Sequence, residues 1–466
     1  MHWRRNSGRS VLGCLFLALQ MLHAQSPQGR GVSSAMEREF QAAMAAEDKG
    51  ELDKAEILLG ELHSKHPGIF AVDESLGLLY VARDKIAQAL PLLEAAAREQ
   101  PSSDVAHANL GAAYYKLQRN PEALREFELA AKLNPRNATA KQALGQLWME
   151  AQQPQRAAQA FAAALEQKPG DPDLLLNQAT ALEAAGESSQ AAAILASLPH
   201  ANESAAAQSL LGEIDEKAGA YQQAAQHYTR AVELDPSEAN VWSLGVEFLR
   251  HWTFDAAIRE FEAAAVKFPV SARMRLGLGA AYFGNGSYAK AVPVFAGLLE
   301  ADPANSLYAE LLGLSCTAVM EEAKPRCSAL LSYAQAHPGD AKASTYAAAA
   351  LLDGAATEDR MALARRLLES ALAADPKLAE AQFEMGMLKQ NQADWAGSIA
   401  NLEAAVALKP DYAQAHYRLA LAYWRSGRKQ EGQAEMELQK EYAKQQQRDL
   451  DQRLRQITTF LVDVHN

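Results

Sequence analysis

Apolar and small residues recur along this chain in a double rhythm. Within a segment they fall three or four apart, the spacing of one helix face. The segments come in pairs that repeat about every 34 residues. Residues 104–135 show one full unit: Leu110-Gly111, then Tyr114, Ala123, Phe127, Ala130 and Pro135. The pattern predicts two antiparallel helices. Gly111 and Ala123 let them approach closely, while Leu110, Tyr114, Phe127 and Ala130 fill the space between them. Pro135 ends the second helix, because it lacks the helical donor and restricts the residue before it.

The same marks return in phase. Prolines fall at Pro67, Pro101, Pro135 and Pro169, then at Pro236, Pro269, Pro303, Pro338, Pro376 and Pro410, with Pro199 in the copy between. The Leu-Gly pair returns at Leu76-Gly77, Leu144-Gly145, Leu211-Gly212, Leu244-Gly245, Leu278-Gly279 and Leu312-Gly313. A small residue with a large apolar one four positions later returns as Ala55 and Leu59, Ala157 and Phe161, Ala257 and Phe261, and Ser398 and Leu402. One hairpin buries too little to stand alone and needs copies on either side.

This spacing resembles the tetratricopeptide repeat (TPR), a helix–turn–helix unit of the same length. The resemblance covers roughly 36–443. It implies an all-α fold, a right-handed TPR solenoid (an α-α superhelix) of about twelve repeats with a C-terminal capping helix. The repeats start near residues 36, 70, 104, 138, 172, 205, 238, 272, 306, 345, 379 and 413. The first has Ala42-Ala43 in place of Leu-Gly, as befits a terminal copy. The ninth breaks phase at Glu321 to Arg326, and 339–344 absorbs most of the excess. The expected organisation is a leader at 1–24, a polar linker at 25–35 and a long block at 36–319. An irregular hinge follows at 320–344, then a short block at 345–443 and a capping helix at 444–466. In that last segment Leu450, Leu454, Ile457, Leu461 and Val464 share one helix face. The face is read as a cover for the last repeat; a homodimeric coiled coil is its alternative use.

Composition changes this picture in three places. A chain of 466 residues with 49% hydrophobic but only 7% aromatic residues suits a helix-rich array. A net charge of −12 argues against a nucleic-acid partner, which would call for a basic stripe. Arg4, Arg5 and Arg9 precede an apolar run, Val11 to Leu22, with Ala24 at the cleavage position. This reads as a signal peptide, placing the mature chain in the periplasm or outside the cell, with no membrane span left. Membrane anchoring through an uncleaved leader is the alternative. Cys14 lies too early in the run for a lipid-attachment box. Cys316 and Cys327 then remain in an oxidising compartment, where a disulfide across the ninth repeat is expected.

Catalytic signatures are missing from the sequence. Gly277-Leu278-Gly279 starts like a dinucleotide fingerprint, but Tyr282 replaces the third glycine and no strand precedes it. Gly313 to Thr317 misses the nucleophile elbow for the same reason. His63 and His66 share a helix face and make at most half a zinc site. Neither an enzyme nor a cofactor is expected. Two groove chemistries of the TPR family are absent as well. Asn109 matches one position of a carboxylate clamp, but Glu74 and Leu78 stand at the others. Asn109 and Asn177 are two rungs of an asparagine ladder that Ala143 interrupts.

What the resemblance leaves is a binding surface, since the first helix of each TPR hairpin lines a concave groove. By repeat position that groove would show Tyr115, Trp242, Phe283, Phe383, Tyr417 and Trp424, with Arg250, Arg273 and Arg425 close by. The expected function is an exported scaffold gripping a protein or peptide segment there. The alternative is a structural accessory of an envelope glycan- or pilus-export machine, working through its convex face and caps.

Overall fold

The period read in the sequence reappears in the helix starts. The computed structural model describes residues 34–318, 327–353 and 357–464, with backbone alone from 449 on. The leader, nearly all of the linker, the turn at 321–326 and the side chains of Leu450 to Val464 lie outside the described residues. In chain order the first unit runs α1 (Ser34–Asp48), α2 (Leu52–Lys65), α3 (Phe70–Ala82), α4 (Ile86–Glu99), α5 (Asp104–Lys116), α6 (Asn120–Leu133), α7 (Ala138–Glu150), α8 (Pro154–Leu165), α9 (Pro172–Ala184) and α10 (Ser188–Ala196). After α11 (Ala205–Lys217) come α12 (Tyr221–Leu234), α13 (Glu238–Arg250), α14 (Phe254–Lys267), α15 (Ala272–Gly284), α16 (Tyr288–Ala301), α17 (Ser306–Ala318) and α18 (Ser328–Ala336). The last are α19 (Ala341–Leu352), α20 (Glu358–Ala374), α21 (Ala379–Asn391), α22 (Trp395–Leu408), α23 (Ala413–Arg425) and α24 (Lys429–Val464). Among the described residues every regular element is helical. None is long and apolar enough to cross a membrane.

Capping sets the starts. Ser103 Oγ accepts from the Ala106 N–H, Asn137 from Ala140, Ser237 from Asn240, Ser271 from Met274 and Asp340 from Ala343. Each satisfies an N–H that the first helical turn leaves orphaned. Asp340 corrects one boundary. The tenth pair begins at Ala341, not near 345, and 341–344 is helix, not slack. Both α18 and α10 are short, at nine residues. In α10 the reason is local: Pro199 disfavours helix in the residue before it.

Among the described residues, the turn inside a pair takes a left-handed residue. Gly186, Gly219, Gly286 and Gly427 supply it at low cost, but Trp252 and Ala393 adopt φ of 60° and 59° there. Exposed Ala393 carries that strain without compensating burial. Ala393→Gly is expected to stabilise the α21–α22 pair by about 0.5–1 kcal/mol. Slower amide exchange in 379–408 would be the readout; unchanged or faster exchange would refute it.

Close helix approach explains the Leu-Gly rhythm. A Cβ on Gly245 would collide with the ring of Phe261, and one on Gly277 would lie 2.5 Å from it. Phe261 is fully buried, as are Phe161 and Phe295 at the same register of α8 and α16. The ninth pair departs from the rule. There the space beside Gly313 is taken by Tyr346 of α19, not by a residue of its own second helix. In that pair Cys316 and Cys327 are joined by a disulfide, with Cα atoms 6.1 Å apart.

The described chain divides between Ile214 and Asp215, inside α11 and not at the ninth pair. In the first unit one apolar cluster centres on Phe40, Leu59 and Leu76, another on Phe127, Phe161 and Leu174. In the second unit the larger cluster runs from Tyr228 through Phe261 and Phe295 to Leu368. A smaller one gathers Phe383, Leu402, Leu419 and Tyr423. At the end of this unit the expected break at 443/444 is absent. Helix α24 continues unbroken from the twelfth pair into the tail, because no proline or glycine follows Gly432. It packs on α23 and also meets α12.

Candidate functional site

The partner residues were expected on the groove-lining face of the first helices. Within such a helix positions seven apart share a face, so an aromatic at the fifth and another at the twelfth residue stand in line. On α23 these are Tyr417 and Trp424, 42% and 37% exposed. The Arg418 guanidinium lies 5.9 Å from the Tyr417 ring centre. The Trp424 indole lies over Gly432 of α24, where a Cβ would fall 2.5 Å from it. That bare backbone seats the indole without burying it. Arg425 follows, exposed.

A second station lies on α13 and α15. Trp242 is half-buried, its indole 5.9 Å from Phe261 on the inner side and 4.5 Å from the Arg273 guanidinium on the other. Burial holds the Arg273 pKa below its ordinary value, against the opposing pull of Glu238. Phe283 is half-buried too and meets Tyr288 edge-on at 5.2 Å. In the first unit Tyr115 donates its hydroxyl to Glu150 Oε1 at 2.5 Å.

Two expected groove residues are elsewhere. Phe383 is only 8% exposed and belongs to the core between α21, α22 and α23, packed at 5.0 Å against Tyr412. Its position matches that of Tyr417, but the following pair covers it. Arg250 is exposed yet engaged: Nη1 donates to Glu216 Oε1 at 3.0 Å and lies 3.8 Å from Glu247. Its charge is therefore largely answered within the chain. Asn109 is engaged as well, donating to Glu74 Oε1 at 3.0 Å. His63 pairs with buried Asp73 through Nδ1 at 2.5 Å, while His66 caps the end of α2.

Sequence reasoning missed two carboxyls near this face. Burial pushes Glu74 up to about 7, opposed by the Asn109 hydrogen bond. Burial likewise pushes Glu384 on α21 up to about 7, opposed by Arg418. Both therefore change charge around neutrality. Their signal was a charged residue at the fifth or sixth position of a first helix, where neighbouring repeats carry aromatics or small residues.

Three family profiles match the chain. Profiles for "Tetratricopeptide repeat" cover 74–133, 110–172 and 244–306 in one form and 149–214 in another, and a "TPR repeat" profile covers 391–427. The chain belongs to the tetratricopeptide repeat family. Its all-α TPR solenoid follows from the paired helices and from the repeat profiles they match. One of these, described as "Crystal structure of YrrB: a TPR protein with an unusual peptide-binding site", is 17% identical, covering 39% of this chain and 94% of that one at a TM-score of 0.37. The Cut9-Hcn1 hetero-tetramer structure is 14% identical and covers 88% of each chain at 0.37. Pseudomonas aeruginosa pilF is 17% identical, covering 44% and 94% at 0.38. At these values the likeness carries no argument about this chain. Among curated protein sequences, none matches this TPR protein.

Proposed function

We propose that this TPR protein is an exported scaffold that grips a protein or peptide segment on its first-helix face. Interaction with protein partners is the general use of the repeat. The observation that carries the finer reading is the Tyr417–Trp424 pair, two large aromatic side chains left exposed in line on α23. A packed solenoid presents such side chains preformed, which reduces the ordering cost of binding. Exposed tryptophan and tyrosine are the residues that most often dominate such contacts. The Trp242–Arg273 stack offers a second, flatter contact. The basic and apolar leader over 4–22 supports export.

A photo-crosslinking side chain placed at 417 or 424 should trap the partner for identification. With the partner in hand, Trp424→Ala and Trp242→Ala are each expected to weaken capture by about 1 kcal/mol or more, roughly fivefold, with helicity intact. Undiminished capture by both helical variants would move the binding surface off this face.

A further inference from the structure

We propose that Glu216, Glu247 and His251 form a binding site for one divalent transition-metal ion of the zinc type. One ligand atom from each lies within 4.8 Å of the other two. His251 Nε2 is 3.0 Å from Glu216 Oε2 and 3.4 Å from Glu247 Oε1. Tetrahedral zinc with bonds of about 2.1 Å sets its ligands about 3.4 Å apart. The His251–Glu247 distance already matches that spacing, the His251–Glu216 distance needs about 0.4 Å more, and the Glu216–Glu247 distance, within 4.8 Å, is adjusted by glutamate rotamers.

Glu247 supplies an independent reason. Its side chain is fully buried, and neither carboxylate oxygen has a hydrogen-bond partner. His251 at 3.4 Å and Arg250 at 3.8 Å stand beyond good hydrogen-bond reach, and a carboxylate removed from water calls for a closer cation. The carboxylate faces the imidazole and Glu216, where the ion would sit. Arg250, from the same helix, leaves room for it. The guanidinium occupies Glu216 Oε1, so that Oε2 is the oxygen turned to the imidazole. That is the usual work of an outer partner, which fixes a ligand's orientation. The Tyr221 ring, 4.2 Å from the His251 ring, steadies the imidazole plane.

The sequence frame is compact. Glu247 and His251 stand four residues apart at the end of α13, on one helix face. Glu216 lies near the end of α11, about one repeat earlier. The ion would pin the end of α11 to α13. One imidazole with two carboxylates is a donor set for first-row ions and not for calcium or magnesium. Two negative ligands balance a dication. The side chains of Glu216 and His251 are 15% and 16% exposed, which leaves an entry path and a fourth position for water.

The competing arrangement is a protonated imidazole bridging the two carboxylates, with the Arg250 guanidinium, 3.8 Å from Glu247 Oε2, as a second cation nearby. Titration calorimetry of the chelator-stripped full chain with zinc separates the two. The expected result is one saturable equivalent per chain, with cobalt at the same site giving a visible absorption band of tetrahedral intensity. His251→Gln and Glu247→Gln should each weaken binding at least about 100-fold, since loss of an outer partner alone costs 10–100-fold. His63→Gln, at a histidine–carboxylate pair outside the site, should change nothing. Should Glu247→Gln fail to fold, His251→Gln at the helix end decides, with circular dichroism as its control. No stoichiometric uptake, or uptake that His251→Gln leaves unchanged, would overturn the proposal.

Discussion

Phe261→Ala is expected to cost the second unit about 3–5 kcal/mol, the range for truncating a fully buried aromatic whose cavity cannot collapse. Collapse is blocked from both sides. The ring lies against Gly245 and Gly277, which have no side chains to swing into the gap, and against the half-buried indole of Trp242. Backbone would have to move, and in a close-packed array that movement loosens the neighbouring pairs as well. A repeat array leans on nearest neighbours, so the damage should be graded along the chain. Amide exchange should rise most in 238–284 and least at 413–425. Uniform change across the second unit would show that its pairs unfold together; no change would show that the glycine contacts relax without cost.

Loss of the disulfide is expected to cost about 2–3 kcal/mol, confined to the ninth pair. The bridge joins residues 11 apart in sequence, and closing a loop of about that size removes roughly this much entropy from the unfolded chain. The location raises its importance. Helix α18 has only nine residues, and the space beside Gly313 is filled from the next pair. Cys316 and Cys327 are both buried, so a Cys316→Ser, Cys327→Ser double variant also places two hydroxyls in an apolar setting. A Cys316→Ala, Cys327→Ala variant isolates the loop effect. Its amide exchange over 306–318 and 328–336 should rise, with the first unit unaffected. Equal exchange with and without the bridge would mean that packing alone holds the pair.

How far the sequence could be read depends on which residue carries each message. Where a capping side chain, a Leu-Gly pair and a closing proline agree, as in 104–135, the pair was legible to within a residue. In the tenth pair no Leu-Gly marks the first helix, and the phase carried over from it pointed near 345. Asp340 held the correct signal, as a capping residue in series with Ser237, Ser271 and their counterparts. Along the tail the amphipathic face was read as a separate cap, but nothing in the sequence stops the helix that begins at Lys429.

The site was less legible than the fold. Repeat position gives a residue's place on its helix but not what the adjacent pair lays over it. Phe383 and Tyr417 hold the same position in their helices, yet the first is core and the second is exposed. Arg250 reads as a free cation in sequence; Glu216, about one repeat back, answers it in space. The Glu216–Glu247–His251 cluster has only a half-signal, the four-residue spacing on α13.

By itself the sequence determined the helical class, the repeat length, nearly every repeat start and the small residues that let paired helices approach. Those follow from local terms, capping, backbone freedom and apolar periodicity, which act within one repeat. Only the tertiary structure decided which aromatics remain exposed, which charges are answered and where two carboxylates and an imidazole converge. Those depend on side chains about 34 residues apart meeting across stacked helices, and stacking distance is written in no single repeat.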